Sequence, residues 1–117
     1  MAKLIGRFYF KQAGKGKLKG EFSNNKSTDI LTETADLIKN VDDRINEREF
    51  IGNYDSTWQE NGEPVFAKLR IEYRQETDNK IYSLTWDWDI NNRKYTHWGE
   101  GMRCGDILIG DYRNFKL

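Results

Sequence analysis

The stretch that most constrains this chain runs from Ile81 to Tyr112, IYSLTWDWDINNRKYTHWGEGMRCGDILIGDY. Tyr82, Leu84, Trp86 and Trp88 alternate with Ser83, Thr85 and Asp87. A period of two is what a half-buried strand needs, because successive side chains point to opposite faces. Asn91-Asn92 interrupts the run, and an Asn pair tolerates the positive φ of a tight hairpin. The next run places Tyr95, His97 and Gly99 on one face and Thr96, Trp98, Glu100 and Met102 on the other. Gly105-Asp106 turns the chain again into Ile107–Tyr112, a short apolar strand. The stretch predicts a three-stranded antiparallel meander.

The same grammar continues upstream. Leu4, Gly6, Phe8 and Phe10 alternate with Ile5, Arg7 and Tyr9, and Gly14 and Gly16 supply a turn. Leu18, Gly20 and Phe22 then alternate with Lys17, Lys19 and Glu21. These two runs predict a hairpin with Phe8, Phe10, Leu18 and Phe22 on its core face. The Lys11, Lys15, Lys17 and Lys19 cluster reads as a solvated hairpin tip that guards an edge, rather than as a phosphate site. Residues 28–49 are ambiguous. Ile30, Thr34, Leu37, Ile38, Val41 and Ile45 fit a helical period roughly, whereas Leu31, Glu33, Ala35 and Leu37 alternate as a strand does. We expect a strand near 30–38 followed by an exposed loop over 40–49, with a helix as the alternative.

Phe50, Gly52, Tyr54, Ser56 and Trp58 share one face of the next run, which ends at the hairpin signal Asn61-Gly62. Ala67, Leu69, Ile71 and Tyr73 form the apolar face of the run after it, opposite Lys68, Arg70, Glu72 and Arg74. Asp78-Asn79-Lys80 is a further turn. Short turns throughout leave no room for a parallel crossover. The expected fold is all-β: one domain, 1–117, built as an antiparallel up-and-down barrel of about eight strands, which removes sheet edges. A β-sandwich is the alternative.

Chain length, meander order and aromatic inner faces resemble the calycin-type barrels: lipocalins, fatty-acid-binding proteins and the avidin group. Gly52-Asn53-Tyr54, followed by Trp58, is similar to the Gly-x-Trp signature of lipocalins. Here Tyr replaces Trp, and the motif falls mid-chain instead of on the first strand. The resemblance implies an architecture and carries no functional residue across.

Composition narrows the function. The 117 residues suffice for one core, and aromatics, at 14%, must supply much of it. With 19 basic and 19 acidic residues, the formal charge is zero, so no bulk electrostatic case exists for nucleic acid or a membrane surface. One Cys forms no internal disulfide, and with one His it offers no zinc set. MAKLIGRFYFKQ lacks a sustained apolar segment, so a soluble cytoplasmic protein is the simplest expectation.

No Gly-x-Ser-x-Gly elbow is present, and neither Gly14-Lys15-Gly16 nor Gly99-Glu100-Gly101 has the strand–loop–helix setting of a phosphate loop. Asp87 and Asp89 project from one face about 7 Å apart, which reads as a solvated outer surface ahead of an acid–base pair. The aromatic row is the most informative feature. We expect an inner wall of Tyr54, Trp58, Tyr73, Tyr82, Trp86, Trp88, His97 and Arg103, with Arg103 as anchor for an anionic ligand. Such rings either pack a small barrel solid or line a partly polar pocket for a small, partly apolar ligand. No catalytic set, metal site or cofactor is predicted. Two competing readings are a homo-oligomeric or protein–protein interaction module using exposed Tyr9, Trp98 and Tyr112, and a small enzyme using His97.

Overall fold

Alternation along the chain converts into eight antiparallel strands in the computed structural model, which describes residues 4–25, 28–38, 50–74 and 81–116. In chain order they are β1 (Leu4–Gly14), β2 (Lys17–Phe22), β3 (Leu31–Leu37), β4 (Gly52–Glu60), β5 (Glu63–Tyr73), β6 (Ile81–Ile90), β7 (Arg93–Cys104) and β8 (Ile107–Arg113). Each pairs with its sequence neighbours, and β8 returns to β1 to close the barrel. The barrel expectation holds, and the sandwich is set aside. The ambiguous segment resolves as strand β3 over its first part. The expected loop over 40–49 and the turn at 78–80 lie outside the described residues.

Turn chemistry fixes the register. Asn61 (φ 51°) with Gly62 (φ 79°), and Asn91 (φ 51°) with Asn92 (φ 66°), occupy the left-handed region that a two-residue hairpin turn of matching twist requires. Each hairpin then pairs strictly. Trp58 lies opposite Val65 on β5, and Trp88 opposite Tyr95 on β7. A one-residue slip in either would send its tryptophan to solvent.

Inward positions fill the barrel from one end. Phe10, Leu18, Phe50, Leu69, Ile71, Leu84 and Leu108 are all less than 2% exposed. Phe50 packs edge-on against Tyr82, and Tyr82 packs against Tyr73, with ring centroids 6.3 and 5.0 Å apart. The Tyr54 hydroxyl donates to the Phe50 carbonyl at 2.9 Å, holding that residue in its positive-φ conformation (φ 62°) just before β4. Burial pushes the Tyr54 phenol up to about 12.

Two departures from simple alternation shape the other end. The pairing of β1 with β8 slips between Leu4 and Gly6, a β-bulge. Ile5, expected on the outer face with Arg7 and Tyr9, lines the interior cavity instead. The strands also coil closely, and at Gly110 a Cβ would collide with the carbonyl oxygen of Glu100 on β7. Glycine is required there because the neighbouring backbone occupies the side-chain position.

The outer face is polar and cross-paired. Lys68 bonds Asp55 directly opposite it, Thr96 donates to Asp87 at 2.7 Å, and Asp87 and Asp89 are both exposed, as a solvated face requires. Such exposed pairs add at most about 1 kcal/mol each. Stability therefore rests on the interior and on closure. Gly110→Ala is expected to lose about 3 kcal/mol through forced separation of β7 and β8. Urea denaturation of this variant checks it, and an unchanged midpoint would show that the close approach is not structural.

Candidate functional site

At the end carrying the Asn61-Gly62 and Asn91-Asn92 turns, the rings separate and leave a cavity of about 430 Å³. The interior is thus packed at one end and hollow at the other. Geometry explains the division. Along β4 and β6 the inward side chains grow from Tyr54 and Leu84 to Trp58, Trp86 and Trp88, but at the open end the indoles stand against one another's edges. Trp58 and Trp88 meet at 5.3 Å and 83°, and Trp88 and His97 at 4.8 Å and 85°. Edge-to-face rings hold each other rigidly and form the walls of a space rather than filling it.

The floor is made of Phe8, Trp86 and Glu33. Glu33 is 3% exposed, an exceptional position for a carboxyl group. It lies on β3 between Leu31 and Ala35, opposite Gly20 of β2, where the Tyr9 carbonyl of β1 occupies the side-chain position. Two donors reach the same carboxyl oxygen: Ser56 Oγ from β4, and Trp86 Nε1 from β6 at 2.9 Å. Both bonds favour the charged form, but burial outweighs them and pushes the carboxyl up to about 7.

The walls are Phe22, Trp58, Trp88, Tyr95, His97 and Tyr112. Tyr112 donates its hydroxyl to the Ser23 carbonyl at 2.7 Å, and its ring lies 5.4 Å from His97 and 5.9 Å from Trp86. Burial first, then the nearby carboxylates Glu33 and Glu60, raises the Tyr112 phenol well above its ordinary value. At the rim Trp58 Nε1 donates to Glu60 Oε1 at 3.0 Å, and Asn24, Asp29, Asn61 and Leu31 complete the mouth.

Of the expected wall, Trp58, Trp86, Trp88 and His97 come together around the cavity. Tyr54 and Tyr82 also face inward but belong to the packed end, and Tyr73 is half-buried against Tyr82. Arg103 does not join them. It is exposed at the opposite end, beside the β7–β8 turn, where its Nε donates to the Gly105 carbonyl at 2.9 Å. It keeps the inward register opposite Leu108, but next to the turn its long side chain reaches solvent. Tyr112, expected as an exposed interface ring, is 6% exposed and part of the cavity wall, because Leu108, Gly110 and Tyr112 share the inner face of β8. Tyr9 and Trp98 lie half-buried on the outside. Among the described residues no three His, Cys, Asp or Glu side chains converge on a metal-sized point. Cys104 is exposed.

The group that sequence reasoning missed is Glu33. Its signal was present in the alternation of Leu31, Glu33, Ala35 and Leu37, which places it on the apolar face. Because the Glu33 carboxyl is raised from 4.5 to about 7 in the folded state, the native protein holds a proton that the unfolded chain releases. Its contribution to stability is full below the unfolded value and falls as pH rises through about 7. Relative to Glu33→Gln, the native chain is expected to lose about 3 kcal/mol between pH 4.5 and pH 8. Urea denaturation of both chains across that range checks this, and a pH-independent difference would contradict it.

Comparison with protein-family models, curated proteins and solved structures finds no match to this chain. What it shares with the calycin-type barrels is therefore the architecture of eight antiparallel strands closed in sequence order.

Proposed function

We propose that the protein binds a small, partly apolar molecule in the open end of its barrel, as a carrier or receptor and without carrying out chemistry on it. The single observation behind this reading is the cavity of about 430 Å³, walled by rigid aromatic rings and floored by a buried, hydrogen-bonded carboxyl. Small-molecule sites commonly occupy roughly 300–1,000 Å³ and combine apolar walls with a few convergent polar groups. A barrel that needed only a core would place an aliphatic side chain at the position of Glu33, because burying a carboxyl works against folding. This reading extends the resemblance to calycin-type barrels from architecture to use.

Native mass spectrometry on gently purified protein tests it. The expected result is a discrete adduct that disappears on denaturation, and that is lost in Leu31→Trp, where a larger ring is placed in the mouth while the β-sheet circular dichroism is retained. A bare chain, together with no change in tryptophan emission across a library of small aromatic and aliphatic compounds, would contradict it. The emission is a sensitive reporter, because Trp58, Trp86 and Trp88 all line the cavity and only Trp98 does not.

A further inference from the structure

Among the described residues, the formal charges around the cavity are of one sign. Asp29, Glu33 and Glu60 line it, and among the described residues no Lys or Arg does. The whole chain carries 19 basic and 19 acidic residues, so this segregation does not follow from composition. Glu33 is the decisive member. Both of its bonds fall on Oε2, so neither engages Oε1 on a group that lines the cavity. A carboxylate in so buried a position is stabilised by a positive charge opposite it. Above the floor, Trp88 and Tyr95 stack at 5.7 Å and 16°, and Trp58 stands nearly perpendicular to Trp88. These rings offer an apolar wall of large area beside the carboxyl, which suits the apolar body of a ligand.

We propose that the occupant is an organic ammonium ion, a protonated amine on an apolar body, with the amine bound by Glu33 Oε1 and the body held between Trp58, Trp88 and Tyr95. This rests on the binding reading above and names the chemistry of its ligand. An anionic ligand would meet three carboxylates. The one arginine expected to anchor such an anion, Arg103, lies at the far end of the barrel. The ammonium ion ionises its own site: its charge offsets the burial that otherwise keeps Glu33 partly protonated. Affinity is therefore expected to rise with pH through the neutral range. The other titratable groups sharing the cavity are Asp29, Glu60, Tyr95, His97 and Tyr112.

Isothermal titration of the full chain with phenethylamine, 2-phenylethanol and 3-phenylpropionate separates the outcomes, since the three differ chiefly in charge. At pH 8 the amine is expected to bind at least about tenfold more tightly than the alcohol, with the acid weakest, as a charge-assisted hydrogen bond implies. Below neutrality the amine's affinity falls roughly tenfold per pH unit as Glu33 takes up its proton. Glu33→Gln brings amine and alcohol within about twofold of each other and flattens the pH dependence, whereas His97→Asn leaves it in place. If Glu33→Gln does not fold, the three probes on the native chain decide the matter alone. Equal or tighter binding of the alcohol or the acid overturns the ammonium assignment and leaves the binding barrel standing. Binding of none of the three also overturns the ammonium assignment, and a bare chain in native mass spectrometry with no emission response across the library overturns the binding reading with it.

Discussion

Everything inside this protein depends on the pairing of its first strand with its last. Phe8 opposite Gly110 and Phe10 opposite Leu108 close a meander that would otherwise be a sheet with two bare edges. Closure also creates an interior, and with eight strands that interior is about as wide as the side chains that point into it. Whether such a barrel is solid or hollow is then decided residue by residue. Phe10, Leu18, Phe50 and Leu108 seal one end. At the other, the edge-to-face indoles of Trp58 and Trp88 stand around a space floored by Glu33.

The bulge near Gly6 belongs to the same design. It bends the start of β1 and brings Ile5 to the mouth, while the Ser23 amide donates to the Arg7 carbonyl and the Asn25 amide to that of Ile5. Tyr112 ties the mouth to the closure: its hydroxyl reaches the Ser23 carbonyl just beyond β2, and its ring packs on Phe22, Trp86 and His97. The cavity is thus held by the elements that close the barrel, so a ligand there would meet a preformed wall.

The fold was largely legible in the sequence, because a two-residue period and the Asn61-Gly62 and Asn91-Asn92 turns are local signals. So were the hairpin core of Phe8, Phe10, Leu18 and Phe22 and the inward faces of β4, β5 and β6. The site was only half legible. Trp58, Trp86, Trp88 and His97 could be assigned to one interior from alternation, but alternation carries no information on height along the barrel axis. Tyr54 and Tyr82 share a face with the tryptophans and sit at the packed end, and Arg103 shares the face of His97 and lies outside. Glu33 was hidden for a different reason. A charged residue on an apolar face weakens the strand signal that reveals the face, and the same segment also fits a helical period.

Glu33 is where fold and site meet, since its partners Ser56 and Trp86 come from β4 and β6 and its neighbours include Tyr112 of β8. The most direct test of the account is a carboxyl-carbon NMR titration of Glu33 in the unliganded chain. A midpoint near 7 is predicted, as befits a buried carboxyl at the floor of the cavity. A midpoint at the ordinary glutamate value near 4.5 would show a solvated carboxylate and contradict the cavity as described.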